Sequence, residues 1–526
     1  MMLRPIAAAA AALFALNTFA AQGPSSSAAP YLVPTNPSVS FTSLITAGDT
    51  ADNGYRMVGI PDGLGAYDNG NGTFTVLMNQ ELSPSAVLPN RAQGGNGAFV
   101  SEWVIDKTTL RVVSGADLMT SVKYLNSSTG AWTNGTTAAE LSFTRFCSAD
   151  LAAVTAFYNP ATGLGTQSRI FLNGEETGTN IYTVGGVQTD RGLAHLATGA
   201  SKGSTYVLPW ATMPASQIGW ENLLANPNSG DKTIVMGNSD GGKNGVWMYV
   251  GNKQATGNDV EKAGLVGGSM FRIAVNTGTA NTETIAAAGG YGIGLTGTTT
   301  PSGSFSLISG DLAAPTGTTF LRPEDGAWDL NNKNVYYFVT TSSNLNAATP
   351  GTSRLWKMTF NDVTGNPTSG GKIEMLVDGT EGHEMFDNMT IDSNGNIVLQ
   401  EDPGNNQRAT GNGTARVWVY NPGSDSLTVL AEHDPLLFSS SNSALPSFLT
   451  RDEESSGVIE ITSVLGRNDG KKYYLLDTQN HKLAVDPTIV EGGQLMIMAV
   501  PEPETNLMML GGLGLLGLVA RRRKSR

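Results

Sequence analysis

Between residues 40 and 498 the apolar positions fall in short runs, each cut off by Gly, Asn or Asp. Examples are Thr73-Phe74-Thr75-Val76-Leu77-Met78, Val246-Trp247-Met248-Tyr249-Val250, Met270-Phe271-Arg272-Ile273-Ala274-Val275 and Val335-Tyr336-Tyr337-Phe338-Val339. Further along come Arg354-Leu355-Trp356-Lys357-Met358, Asn396-Ile397-Val398-Leu399-Gln400, Val417-Trp418-Val419-Tyr420 and Tyr473-Tyr474-Leu475-Leu476-Asp477. Short runs of β-branched and aromatic residues between turn formers predict strands. No interior stretch holds a 3.6-residue apolar period long enough to predict a helix. Several runs share one layout, in which a strand with a central aromatic is followed by a turn such as Asn421-Pro422-Gly423-Ser424-Asp425 and a second strand, Leu427-Thr428-Val429-Leu430. Strand, turn and strand at this spacing predict an all-β, β-propeller-like fold of about six blades. A β-sandwich with long insertions is the alternative. Nothing in the composition divides residues 40–498, so they are expected to form one domain, with 126–137 and 288–304 as surface insertions.

The two ends break this pattern. Met1-Met2-Leu3-Arg4, an apolar core at 6–16 and the small-residue site Thr18-Phe19-Ala20 predict a secretory signal over residues 1–20, cut by signal peptidase. Residues 21–39, rich in Ser and Pro, are expected to be an exposed leader. At the other end, 500–526, Val500-Pro501-Glu502-Pro503 precedes an apolar run at 507–520 and the block Arg521-Arg522-Arg523-Lys524. That run is shorter than the roughly twenty residues that span a bilayer comfortably, yet the block behind it is what a positive-inside stop requires. The tripartite ending resembles the PEP-CTERM sorting signal. The resemblance implies a hydrophobic sorting helix recognised and cleaved by an exosortase, with the protein exported through the inner membrane to the cell surface or medium. An ordinary C-terminal anchor would give the same compartment.

Composition narrows the chemistry. Gly, at 64 of 526 residues, is about 12% against a usual 7% and favours tight turns. A net charge of −13 and an isoelectric point near 4.8 exclude the basic stripe that a nucleic acid needs and favour divalent cations. A single cysteine, Cys147, rules out an internal disulfide, and His195, His383, His433 and His481 are too scattered to form a local zinc motif. The chain is expected to be a monomer.

Acidic words stand where strands meet turns: Asn79-Gln80-Glu81, Asn173-Gly174-Glu175-Glu176, Arg322-Pro323-Glu324-Asp325, Glu401-Asp402-Pro403-Gly404 and Asp452-Glu453-Glu454. In a propeller such places can face a shared channel, and calcium takes six to eight oxygen ligands from loops of this kind. Each word taken alone could also be a solvated turn. Arg322 is either an anion clamp or the partner of Glu324 or Asp325. The chain has no His-Glu-x-x-His motif and no Gly-x-x-x-x-Gly-Lys-Ser/Thr phosphate loop.

These words, with Ile60-Pro61-Asp62-Gly63-Leu64-Gly65-Ala66-Tyr67 and Phe386-Asp387-Asn388, resemble the PhoX-type alkaline phosphatase family. The resemblance implies a propeller with a calcium- and iron-bearing phosphomonoesterase site. Carried over, it makes Glu81, Glu175, Glu176, Glu324, Asp325, Glu401 and Asp402 metal ligands and Arg322 and Glu175 catalytic residues. Gln80 stands where the family has His. Gly174 stands where the family has an iron-ligating Cys, which puts iron in doubt and leaves calcium as the expected metal; Cys147 is then an inert buried thiol or a displaced ligand. The expected ligand is a phosphoester or a polysaccharide. The competing function is a non-catalytic, calcium-stiffened matrix protein, and a lactonase or other esterase is a third reading.

Overall fold

The computed structural model describes residues 20–176, 182–184, 186–276, 283, 302–309, 317–341, 353–404 and 413–502. All eight runs named above lie in strands, with Asn396 alone one residue outside, and the strands make six blades around one axis. The fold is all-β and propeller-like. The inner strands are Pro61–Asp68 in blade 1, Ile170–Gly174 in blade 2, Trp220–Ala225 in blade 3, Pro323–Trp328 in blade 4, Phe386–Ile391 in blade 5 and Glu453–Glu460 in blade 6. Each packs beside the next, and residues 145–150 fit between blade 1 and the inner strand of blade 2, so the ring closes.

Both faces of each blade are covered by neighbours, which is why the strands read as near-continuous apolar runs rather than strict alternation. Val335–Thr340 and Ile170–Gly174 are buried at every position. Trp103, Trp220, Trp247 and Trp356 are fully buried between or within blades. Burying a Phe- or Leu-sized side chain stabilises by about 1.5–3 kcal/mol, and these contacts replace the missing disulfides. Among the described residues the α-helices are four-residue turns, such as Ala138–Leu141 and Asp259–Lys262, and none is long and apolar enough to cross a membrane. The signal core and the apolar tail lie outside the described residues.

Blade 6 joins the two ends of the domain. Its C-terminal strands Glu453–Glu460, Lys471–Leu483 and Glu491–Pro501 are completed by Ser40–Thr46, which pairs antiparallel with the last of them. The expected leader is only partly exposed. Ala20–Gln22 adds a parallel strand outside Ser40–Thr46, and Leu32–Pro34 pairs with Ser426–His433 to finish blade 5, with Leu32 fully buried. A Ser/Pro-rich composition hid these strands because each is three residues long and draws its stability from the sheet it joins. Of the expected insertions, 126–137 contains the edge strand Trp132–Asn134, whereas most of 288–304 lies outside the described residues. The strand Ser302–Ser309 links the outer edges of blades 3 and 4 into one nine-stranded sheet.

Candidate metal centre

At the start of four of these inner segments the backbone repeats one device. Ile60, Arg145, Arg322 and Met385 have φ of 57°, 40°, 56° and 38°, and two residues later come Asp62, Cys147, Glu324 and Asp387. The left-handed region costs a non-glycine residue about 1–2 kcal/mol, so packing must hold each turn in place. Register shifts follow immediately, between Asp62 and Leu64, Trp220 and Asn222, Pro323 and Gly326, Phe386 and Met389, and Ser455 and Val458. A bulge re-aims the side chain beside it. Here Asp62, Glu221, Glu324, Asp387 and Glu454 stand beside such shifts and face the channel, and Cys147, in the segment 145–150, completes one group per blade.

A second tier rims this ring. Glu81, Glu176, Asp240 and Asp402 face the same space of about 40 Å³, together with Arg145, Arg322 and Thr341. Donor atoms of Asp62, Glu81 and Cys147 lie within 4.8 Å of one another, as do those of Glu221, Glu324 and Asp387, and those of Asp387, Asp402 and Glu454. Arg145 Nη2 is 2.7 Å from both Glu81 and Glu176, and Arg322 pairs with Asp240 (Nε to Oδ1, 2.9 Å) and Glu324 (3.2 Å). Cys147 Sγ donates to Glu176 Oε2 at 3.3 Å.

The crowding shows in the proton affinities. Burial, then the neighbouring carboxylates, hold Asp62 and Asp387 well above the ordinary carboxylate range. Burial is also the main cause that raises Glu176 and Glu324, against Arg145 and Arg322 respectively. Glu221 and Asp402 are pushed up to about 7, by burial first. Burial and then Glu81 and Glu176 raise the Cys147 thiol. Glu81 runs the other way: burial pushes it up, but Arg145 and a hydrogen bond from Gln479 hold it below its ordinary value.

Of the residues expected from sequence, Glu81, Glu176, Glu324, Asp402 and Arg322 come together here. Glu175 does not. Its two oxygens are taken by the Arg191 guanidinium at 2.6 and 2.7 Å, fully buried beside the channel wall. Glu401 is likewise taken by Arg416 and by Trp418 Nε1 at 2.9 Å. Asp325 turns to the far side, where it accepts from Asn222 at 2.9 Å and the Met389 N–H at 3.0 Å. Gln80 donates to Ser101 and does not reach the ring.

The place of Gly174 is explained by packing. A Cβ there would lie 2.4 Å from Trp220 Cβ, so no cysteine fits. The sulfur that faces the channel is that of Cys147, on the adjacent segment that pairs with the strand containing Gly174. Its carbonyl is held by Asn79 Nδ2, whose Oδ1 accepts from Asn173 at 2.8 Å, and Asn173 is in turn bound by His195 at 2.8 Å. Burial lowers His195 to about 3, so the ring is neutral. Asp62, Glu221, Asp240, Asp387, Glu454 and Arg145 complete the mouth without having been singled out as ligands. What they share is position: Asp62, Glu221, Glu324, Asp387 and Glu454 are each the second residue of an inner strand.

Below the ring the channel widens into a funnel of about 700 Å³ on the opposite face, lined by Leu330, Ser463, Arg467 and Lys472 among others.

Known proteins can be set beside this geometry. Residues 499–524 match the PEP-CTERM protein-sorting motif. No curated protein matches the chain. Among solved structures, Pseudomonas fluorescens PhoX in complex with vanadate, a transition state analogue, is similar over 88% of this chain and 95% of that one, at 11% identity and a TM-score of 0.51. Trypanosoma rangeli sialidase is similar over 93% of this chain and 62% of that one, at 9% identity and a TM-score of 0.38. The protein is therefore exported to the surface or beyond, carries a PEP-CTERM motif that implies processing by an exosortase, and folds as a PhoX-like β-propeller.

Proposed function

We propose that the channel mouth holds a multinuclear metal centre and that the protein is an exported, metal-dependent phosphomonoesterase. Charge balance carries this reading: nine carboxylates and a thiol face one small space against two guanidiniums. Buried carboxylates in such numbers either bind protons or bind cations. The donor chemistry fits the second. Glu221, Glu324 and Asp387, and Asp387, Asp402 and Glu454, are oxygen-only groups suited to calcium, with Asp387 shared. Asp62, Glu81 and Cys147 add a soft donor suited to a transition metal such as iron, which supports a sulfur ligand even with Gly174 in place of the family's Cys.

Metal ions bound there would polarise a phosphoryl oxygen and acidify a water. The chain's own residues set the rest. Arg145 and Arg322 stay 41% and 33% exposed at the rim, where an anionic group would meet them first. Asn79 and Asn173 fix the Cys147 backbone so that the thiol faces Glu176. Glu175 acts as a structural anchor through Arg191.

The non-catalytic, calcium-stiffened reading is favoured by one observation: both mouth guanidiniums are already paired with carboxylates. Metal analysis of the mature chain, paired with a phosphomonoester assay with and without chelator, separates the two. Calcium plus a transition metal and chelator-sensitive turnover is the expected result. Calcium alone with no turnover across a broad phosphoester panel would leave the matrix reading standing.

A further inference from the structure

The closing strand of blade 6, Glu491–Pro501, runs the full depth of the propeller. At its start, Glu491 lies 2.7 Å from His481, which pairs with Glu454 at the metal-binding mouth. At its end, Pro501 pairs with Lys471, the Glu502 N–H donates to the Gly470 carbonyl at 2.9 Å, and the Glu502 carboxylate is 3.7 Å from Lys472 Nζ. Lys472 lines the funnel. The sorting tail therefore leaves the domain on the face opposite the mouth.

Two lengths turn this into an orientation. Eleven residues of strand separate the mouth from the exit by roughly 33 Å. Only residues 503–506 stand between Glu502 and the apolar run that begins at Leu507, and fully extended they reach about 14 Å. With the tail held in a bilayer, a tether of that length keeps the exit at the headgroups and cannot bring the mouth face down onto them.

We propose that, before the tail is cut, the propeller rests on the lipid bilayer by its funnel face, with the metal-binding mouth turned into the aqueous compartment. The site is then open to cations and ligand while the protein is still tethered. This inference rests on the sorting motif and the strand direction, and is independent of any phosphoesterase activity.

The test uses the mature chain with its tail, reconstituted in phosphatidylethanolamine and phosphatidylglycerol vesicles whose lipids carry a headgroup nitroxide quencher. A fluorophore is placed at exposed positions by Ser463→Cys in blade 6 and Leu330→Cys across the funnel in blade 4, and by Val485→Cys on the mouth side of blade 6. Labelling of the unsubstituted chain, whose Cys147 is buried, gives the background. Quenching at both funnel positions at least three-fold above that at the mouth is expected, falling to no difference when a twenty-residue Gly/Ser segment is inserted after Glu502. Equal quenching at Val485→Cys and Ser463→Cys, as a side-on domain would give, or a difference that survives the inserted segment, would overturn the proposal.

Discussion

Glu175 and Glu176 are neighbours in sequence, and the chain sends them to opposite sides. Glu175 goes to Arg191 inside blade 2, Glu176 to Arg145 and the channel. The sequence shows a pair of acids but not which has a buried guanidinium waiting, because Arg191 lies on another strand of the sheet. Glu175→Gln should cost about 3–5 kcal/mol, since it leaves the Arg191 charge buried without its partner. Urea unfolding would measure that loss, and metal content per folded chain should not change. Cys147→Ser is the opposite case. It swaps the soft donor for a hard one at nearly constant volume, so the transition metal should be lost and turnover fall at least a hundred-fold, with calcium retained and the melting temperature moved by only a few degrees. Elemental analysis beside the assay would check it. Equal transition-metal content in this variant would return Cys147 to the role of an inert core thiol.

Elements were easier to foresee than site residues. A strand announces itself by a run of β-branched and aromatic residues, and each of the eight runs read that way is a strand. The turn that aims a ligand does not announce itself, because Ile60, Arg145 and Met385 carry positive φ without being glycines. Their conformation is imposed by the ring of blades, which no local sequence encodes. Leu32–Pro34 was hidden for a related reason: three residues make a strand only when Ser426–His433 offers an edge. Deleting residues 20–35 should therefore uncover the outer edges of blades 5 and 6. The expected outcome is a lower urea midpoint and concentration-dependent association, read by circular dichroism and light scattering. An unchanged midpoint in a monomeric product would mean the segment is a leader after all.

At the scale of the whole molecule, the mouth concentrates negative charge that the fold must hold together. With no metal bound, Glu221 and Asp402 keep protons up to about pH 7 in the folded chain, whereas unfolded carboxyls release theirs near 4. The folded state then binds more protons between those values, so its stability falls as pH rises through that window. A chelated sample should melt at a higher temperature at pH 5.5 than at pH 8, and added calcium should shrink or reverse the difference. Scanning calorimetry with and without chelator reads this directly. A pH-independent melting temperature in chelator would mean that the mouth carboxylates do not carry the raised affinities that the geometry imposes.

The central claim is that the six-blade ring is a metal centre with sulfur at one corner. Anomalous diffraction from crystals of the mature chain, grown without chelator and collected across transition-metal edges, tests it most directly. The account predicts a transition-metal peak within about 2.5 Å of Cys147 Sγ, flanked by Asp62 and Glu81, with lighter cations at the two oxygen-only groups around Asp387. A ring in which water alone bridges the carboxylates, with no anomalous peak near Cys147, would contradict it.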